Sequence, residues 1–226
     1  MKLCTGSLVG RDHWINGHMP VGKNNQDALG YSIQRWGVCG VVADGCGSGA
    51  YSEIGARLGV QAVLDWWGSR PAVMAPTATE LTLVINKALM RGTLLFPNDP
   101  QAVNDHFLFT LLIAIVNPER TMIFGCGDGV FATEGIGPSI LEPGEGNQPM
   151  YMGYNLLSPG KAQIVEHYSA NYPERVLIGT DGLAHYPGYE REWQDWVQNQ
   201  VQLTRKFRLH HKELPDDTTA VGIGYC

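Results

Sequence analysis

The chain encodes an α+β layered fold, and three observations point to it. Its apolar runs of strand length fall in antiparallel groups, its stretches of helical periodicity come in pairs, and no regular βαβ alternation joins them. The 226 residues are 44% hydrophobic and 17% charged. That balance suits one globular domain over residues 1–226 with a large core, and no linker long enough to divide the chain is visible.

In chain order, residues 37–43 (Gly-Val-Cys-Gly-Val-Val-Ala) are short, apolar and β-branched, the mark of a buried strand. Over 52–67, Ile54, Leu58, Ala62 and Trp66 recur at helical spacing, so a helix follows that strand. A second helix spans 79–95, with Leu81, Ile85, Ala88 and Leu89 on one face, Pro76 before it and Pro97 stopping it. The runs 107–116 and 121–125 are split by Asn117-Pro118-Glu119-Arg120 and read as a hairpin, with a further strand at 130–133. Residues 138–160, rich in Gly, Pro and Asn, read as a long surface loop. Strands follow at 163–167 and 175–180, then a helix over 190–207 with Trp193, Trp196, Val197 and Val201 inward, and a last strand at 218–225.

The bulk numbers exclude several classes. Sixteen Lys and Arg against 22 Asp and Glu give a net charge of −6, so bulk electrostatics do not attract nucleic acid. The five cysteines, at 4, 39, 46, 126 and 226, show no zinc-ligand spacing and suit a reduced chain. The first ten residues lack a signal-peptide pattern, and the longest apolar run is about half the roughly 20 residues of a membrane helix. A cytoplasmic monomer, with no nucleic-acid or membrane partner, is expected.

Glycine is in excess, at 28 residues against a usual share of about 7%. Three predicted strands run into the same dipeptide: Asp44-Gly45, Asp128-Gly129 and Asp181-Gly182. A fourth begins just after Asp216-Asp217. Each pair alone is a favoured turn, but a sheet can gather four acidic strand ends. Clustered carboxylates repel, and a hard divalent cation such as magnesium or manganese relieves that repulsion. A glycine after the acid lets the backbone turn and present its carbonyl as a further ligand.

The order and spacing of these elements resemble the metal-dependent serine/threonine protein phosphatases of type 2C. The elements that carry the resemblance are Asn25-Gln26-Asp27-Ala28, Ala43-Asp44-Gly45-Cys46-Gly47, Gly127-Asp128, Thr180-Asp181-Gly182-Leu183 and Asp216-Asp217-Thr218-Thr219-Ala220-Val221. The resemblance implies a four-layer sandwich, two central antiparallel sheets flanked by helices, with the metal site at one end. It implies that Asp44 bridges two manganese or magnesium ions with help from the Gly45 carbonyl. Asp181 and Asp216 complete the first ion, Asp27 acts near the second, and Asp128 belongs to a looser third. A metal-activated water then attacks phosphorus in phosphoserine or phosphothreonine of a protein, the substrate of a cognate kinase, without a phosphoenzyme. The segment 143–160 falls where the family carries a flap beside the substrate groove.

The chain departs from the family at three places. Gln26 stands where most members have Glu, a neutral oxygen ligand in place of a charged one. The phosphate-binding Arg corresponds to Gly22, leaving Lys23, His13 and Arg11 as candidates, with Asp217 and Gln26 in support behind the ligands. Cys46 follows Asp-Gly where some members have a proton-donating His. It suits a small filler: no Arg lies six residues after Cys4, Cys39, Cys46 or Cys126, as a tyrosine-phosphatase loop needs. His18, His106 and His185 are expected to be structural. Competing readings are a phosphatase-like binding module with weak or no activity, a phosphatase of small molecules, and a cofactor enzyme. The last rests on Asp44 to Ala50, which resembles an S-adenosylmethionine or dinucleotide glycine loop. Against it, the following 20 residues hold the Trp66-Trp67 helix and no second strand ending in an acid.

Overall fold

The structure, a computed structural model, describes residues 1–13, 24–70, 75–95, 99–144, 146 and 148–225. Along the chain run β1 (Lys2–Leu8), β2 (Ala28–Gln34), β3 (Gly37–Gly45), α1 (Glu53–Ser69), α2 (Ala78–Gly92), α3 (Pro100–His106), β4 (Phe109–Val116) and β5 (Thr121–Cys126). There follow β6 (Gly129–Thr133), β7 (Gly137–Leu141), α4 (Tyr154–Leu157), β8 (Val165–Ala170), β9 (Val176–Gly179), α5 (Tyr189–Gln198), α6 (Leu203–Leu209) and β10 (Thr218–Gly224). Two five-stranded sheets form, in the orders β1-β10-β9-β6-β7 and β2-β3-β4-β5-β8. Every ladder between these strands is antiparallel.

The sheets pack face to face, which is why their central strands read as unbroken apolar runs: both faces are buried. In β3, Val38 and Val42 face the opposite sheet, meeting the layer that holds Ile178, Val221 and Ile223. Cys39, Val41 and Ala43 point the other way, into the core under α1 and α2 with Val60, Leu81, Ile85 and Leu89. On the far side, α5 covers β9 and β10 through Trp193 and Trp196, and α6, with Phe207 buried, packs on β1. The result is the four-layer sandwich expected from the resemblance.

Several element readings change. The inward face of α1 is Ala56, Val60, Val63 and Trp67; of the residues that marked the helix in sequence, Leu58 and Trp66 pack at the edge of this core and Ile54 is 45% exposed. The cause is close packing: a Cβ on Gly59 would stand 2.5 Å from the Phe109 ring, so glycines mark the buried side of this helix. The expected helix 190–207 is two helices, α5 and α6, broken where Gln200 takes a left-handed φ of 52°. The expected loop 138–160 contains β7 and α4. Pro138 is tolerated in β7 because that strand lies at the sheet edge. β1, β2 and α3 carry no strong periodicity and were not expected. The hairpin holds: the Asn117 N–H donates to the Arg120 carbonyl at 2.9 Å, and its side-chain oxygen caps the turn.

Candidate metal centre and active site

Both sheets send acids to one end of the sandwich. Asp44 is the penultimate residue of β3, where it pairs with Thr110. Asp27 directly precedes β2, and the register Ala28 to Ala43 sets it beside Asp44. These two come from one sheet. Asp181 follows β9 and Asp216 precedes β10, neighbouring strands of the other sheet. Asp128 lies in the short link from β5 to β6, where the chain crosses between sheets. A cleft of about 150 Å³ opens here, lined by Asp44, Asp128, Asp181, Asp216, Asp217 and Gln26.

The electrostatics are those of crowded carboxylates. Burial, then Asp217, pushes the Asp27 carboxyl well above the usual range. Burial does the same to Asp44, reinforced by Asp27, Asp181, Asp216 and Asp128. Asp128 is pushed up to about 6 by burial and by Asp181. Asp216 is raised by burial and by Asp181, with His13 opposing. Four buried oxygens in this group, Asp27 Oδ1, Asp128 Oδ1, Asp181 Oδ1 and Gln26 Oε1, have no hydrogen-bond partner among the described residues. Unpaired buried oxygens are costly. Their convergence at one place, all acceptors and mostly anionic, suits a hard divalent cation.

The glycines after the acids serve proximity more than turning. Gly45 continues the strand opposite Phe109, and a Cβ there would lie 2.6 Å from the Gln26 carbonyl and 2.8 Å from Ser52 Oγ. Gly182 abuts the Asp217 carbonyl so closely that a Cβ has no room. That contact brings Asp181 against the Asp216-Asp217 pair. The expectation of a strand end freed to turn is therefore replaced, at these two positions, by close backbone approach.

The supporting residues are now located. Gln26 spends its amide N–H groups on the Gly49 carbonyl at 2.9 Å and Ser52 Oγ at 2.8 Å, which leaves its oxygen toward the cleft. Asp217 accepts from the backbone N–H of Gly10 at 2.8 Å and of Gln26 at 2.7 Å. It thereby ties the segment after β1 and the residue before Asp27 to the start of β10. His13 meets Asp217 at 3.0 Å and Asp216 at 3.9 Å. Arg11 turns away, donating to Asp12 and to the Lys212 carbonyl, both at 2.8 Å, and does not line the cleft. Lys23 and His18 lie outside the described residues. His106 is held at its helix end by the Ala102 carbonyl at 3.0 Å. Two residues at the site had no role assigned from sequence: Thr180, inside a motif, whose hydroxyl donates to Asp27 Oδ2 at 2.8 Å, and Tyr151, outside every motif, which lines the cleft. Position in the segment 143–160 was the one signal for Tyr151. The glycine-loop reading is not favoured, because Asp44 to Gly47 line this acidic cleft.

Asp217→Ala should cost on the order of 3 kcal/mol of stability, since two buried backbone N–H groups lose a charged acceptor. Urea denaturation at neutral pH reads this, and Asp217→Asn, which keeps one acceptor, should cost less. A loss below about 0.5 kcal/mol for the alanine variant would show that this tie is not structural.

A model of the protein phosphatase 2C family matches residues 16–216, a stretch that contains Asp27, Asp44, Asp128, Asp181 and Asp216. The chain belongs to this family. This type 2C phosphatase is thus a metal-dependent protein phosphatase, a phosphoric monoester hydrolase. No curated protein matches it. Among solved structures it is similar to the serine/threonine phosphatase Stp1 from Staphylococcus aureus, at 12% identity over 100% of this chain and 96% of that one, with a TM-score of 0.68. It is similar to the catalytic domain of the serine threonine protein phosphatase PstP in complex with 2 manganese ions, at 15% identity, 98% and 96% coverage and a TM-score of 0.60. It is also similar to RsbX in complex with magnesium, at 14% identity, 97% and 92% coverage and a TM-score of 0.58. These likenesses establish the fold of the type 2C phosphatase over nearly its whole length.

Proposed function

We propose that this chain hydrolyses phosphoserine and phosphothreonine in proteins, using manganese or magnesium held at the acidic cleft. The observation that carries the reading is the convergence of five carboxylates from both sheets, three of which (Asp27, Asp128 and Asp181) have a buried, unpartnered oxygen. Asp44, with the Gly45 carbonyl, would bridge two cations. Asp181 and Asp216 would complete the first, Asp27 and Gln26 would serve the second, and Asp128 would hold a looser third. Such cations, when bound, supply a hydroxide nucleophile near neutral pH and neutralise phosphoryl charge. The bound cations cited above belong to PstP and RsbX and support this reading by likeness.

The chain's own residues do the rest. Thr180 orients Asp27, and Asp217 fixes the spacing between Asp27 and Asp216 through the Gln26 and Gly10 backbone. Among the described residues no Lys or Arg lines the cleft. A phosphate dianion entering a metal-free cleft would meet only like charge, so substrate binding depends on prior cation binding. Residues 1–226 act in this reading as one catalytic domain, a cytoplasmic monomer opposing a serine/threonine kinase. The binding-module alternative, to which Gln26 and the missing Arg point, is not favoured, because the acid set is intact.

The test is hydrolysis of p-nitrophenyl phosphate and of a phosphothreonine peptide with manganese present. Turnover should vanish with a chelator and in Asp181→Ala, and should resist okadaic-acid-type inhibitors. Protein that binds manganese yet turns over no faster than Asp181→Ala would overturn the reading.

A further inference from the structure

Tyr151 stands in the cleft with no role in the scheme above. Its backbone is clamped on both sides. The Cys126 thiol donates to the Met150 carbonyl at 3.3 Å, the Met152 N–H donates to the Phe109 carbonyl at 3.0 Å, and Gly153 packs directly on the Phe107 carbonyl. Phe109 is the residue paired with Gly45, so the clamp ties Tyr151 to the strands that carry Asp44. The ring is set edge-on against Tyr154, with centroids 5.6 Å apart. Its half-buried hydroxyl lies among Cys46, Asp44 and Asp128. Burial, then Cys46 and these two acids, raise the phenol above its ordinary value, so it remains an O–H donor at neutral pH.

The other groups lining the cleft complement this one. The five aspartates only accept, the Gln26 N–H groups are spent, and Arg11 is turned outward. A thiol is a weak donor. Tyr151 is the strong side-chain donor among the described lining residues.

We propose that Tyr151 is a phosphate-positioning residue, its hydroxyl donating to a non-bridging oxygen of the bound phosphoryl group. The inference rests on the reading that the cleft takes a phosphoryl group.

The experiment compares manganese-loaded wild type, Tyr151→Phe and Cys46→Ala. Calorimetry reads the binding of inorganic phosphate, and kinetics read KM for p-nitrophenyl phosphate. Tyr151→Phe should weaken phosphate binding and raise KM by about tenfold, the size of one hydrogen bond to a charged acceptor. Manganese affinity should be unchanged. Cys46→Ala, which removes the resting partner of the hydroxyl, should keep phosphate affinity within about twofold of wild type. Phosphate binding and KM unchanged in Tyr151→Phe would overturn the proposal. So would an equal loss in Cys46→Ala, which would assign the effect to the thiol. In wild type, the ζ-carbon resonance of labelled Tyr151 should move on phosphate addition, and a fixed resonance under saturating phosphate would also overturn it. Should phosphate bind as described while no substrate turns over, the hydrolase reading fails and this one stands.

Discussion

Asp44→Asn is expected to abolish turnover and, in the same protein, to raise the melting temperature of the metal-free form. The two effects share one cause. Asp44 lies nearest the centre of the cluster, where four other aspartates push its carboxyl up after burial has already done so. An amide of the same shape removes one charge from that crowd, so the metal-free fold loses repulsion it otherwise carries. The carboxylate proposed to hold both cations is lost in the same substitution, and the rate should fall at least about 10²-fold. A gain of 1 kcal/mol in a chain of this size raises the melting temperature by about 2–4 °C. Initial rates with manganese and thermal melts in chelator measure both. An Asp44→Asn protein with a wild-type rate would remove Asp44 from the centre. A lower metal-free melting temperature would show that repulsion is not the dominant feature of the cluster.

The second large effect is on stability against pH and cation. Asp128 ionises at about 6 in the folded chain, against an ordinary carboxylate value of 3.8. Between those values the folded state holds a proton that the unfolded state has released. The metal-free protein therefore loses stability as pH rises through that window, and below it the penalty is absent. Asp27 and Asp44, also raised well above the ordinary carboxylate range by burial and by their neighbours, add to the loss in the same direction. Metal-free melts should thus be lower at pH 8 than at pH 5.5, the reverse of a carboxylate stabilised by a partner. A divalent cation at about 100 times its dissociation constant adds about 2.7 kcal/mol, roughly 5–10 °C here, and should flatten the slope. Melts at several pH values, with manganese and with chelator, read this directly. A metal-free protein that gains stability from pH 5.5 to pH 8 would contradict the cluster's electrostatics.

The site was more legible in the sequence than parts of the fold, and the reason is physical. Carboxylates at strand ends keep their meaning at any register, so Asp44, Asp128, Asp181 and Asp216 could be picked out before their sheets were known. Buried β3 and β4 were equally plain, because strands covered on both faces must be apolar throughout. β1 and β2 escaped notice because each is an edge strand, with glycine and polar residues interleaved. The buried face of α1 was not legible because glycine carries no hydrophobic signal, yet Gly55 and Gly59 are what let that helix approach Phe107 and Phe109. The break between α5 and α6 at Gln200 has no proline or glycine to announce it. Among site residues, Tyr151 and the bond from Thr180 to Asp27 depend on tertiary contact alone. The sequence motifs could not tell that Arg11 points outward or that Asp217 is committed to backbone N–H groups.

The division of the acids between the two sheets has a mechanical consequence. Asp27 and Asp44 ride on one layer, Asp181 and Asp216 on the other, and Asp128 sits on the strap between them. A cation shared across that seam is a rivet as well as a reagent. Withdrawing it leaves two like-charged jaws at one end of the sandwich, and local opening is favoured there first. The loading state of the cleft therefore sets how tightly the catalytic end is shut, and a chelated sample differs from a loaded one in its breathing as well as in its chemistry.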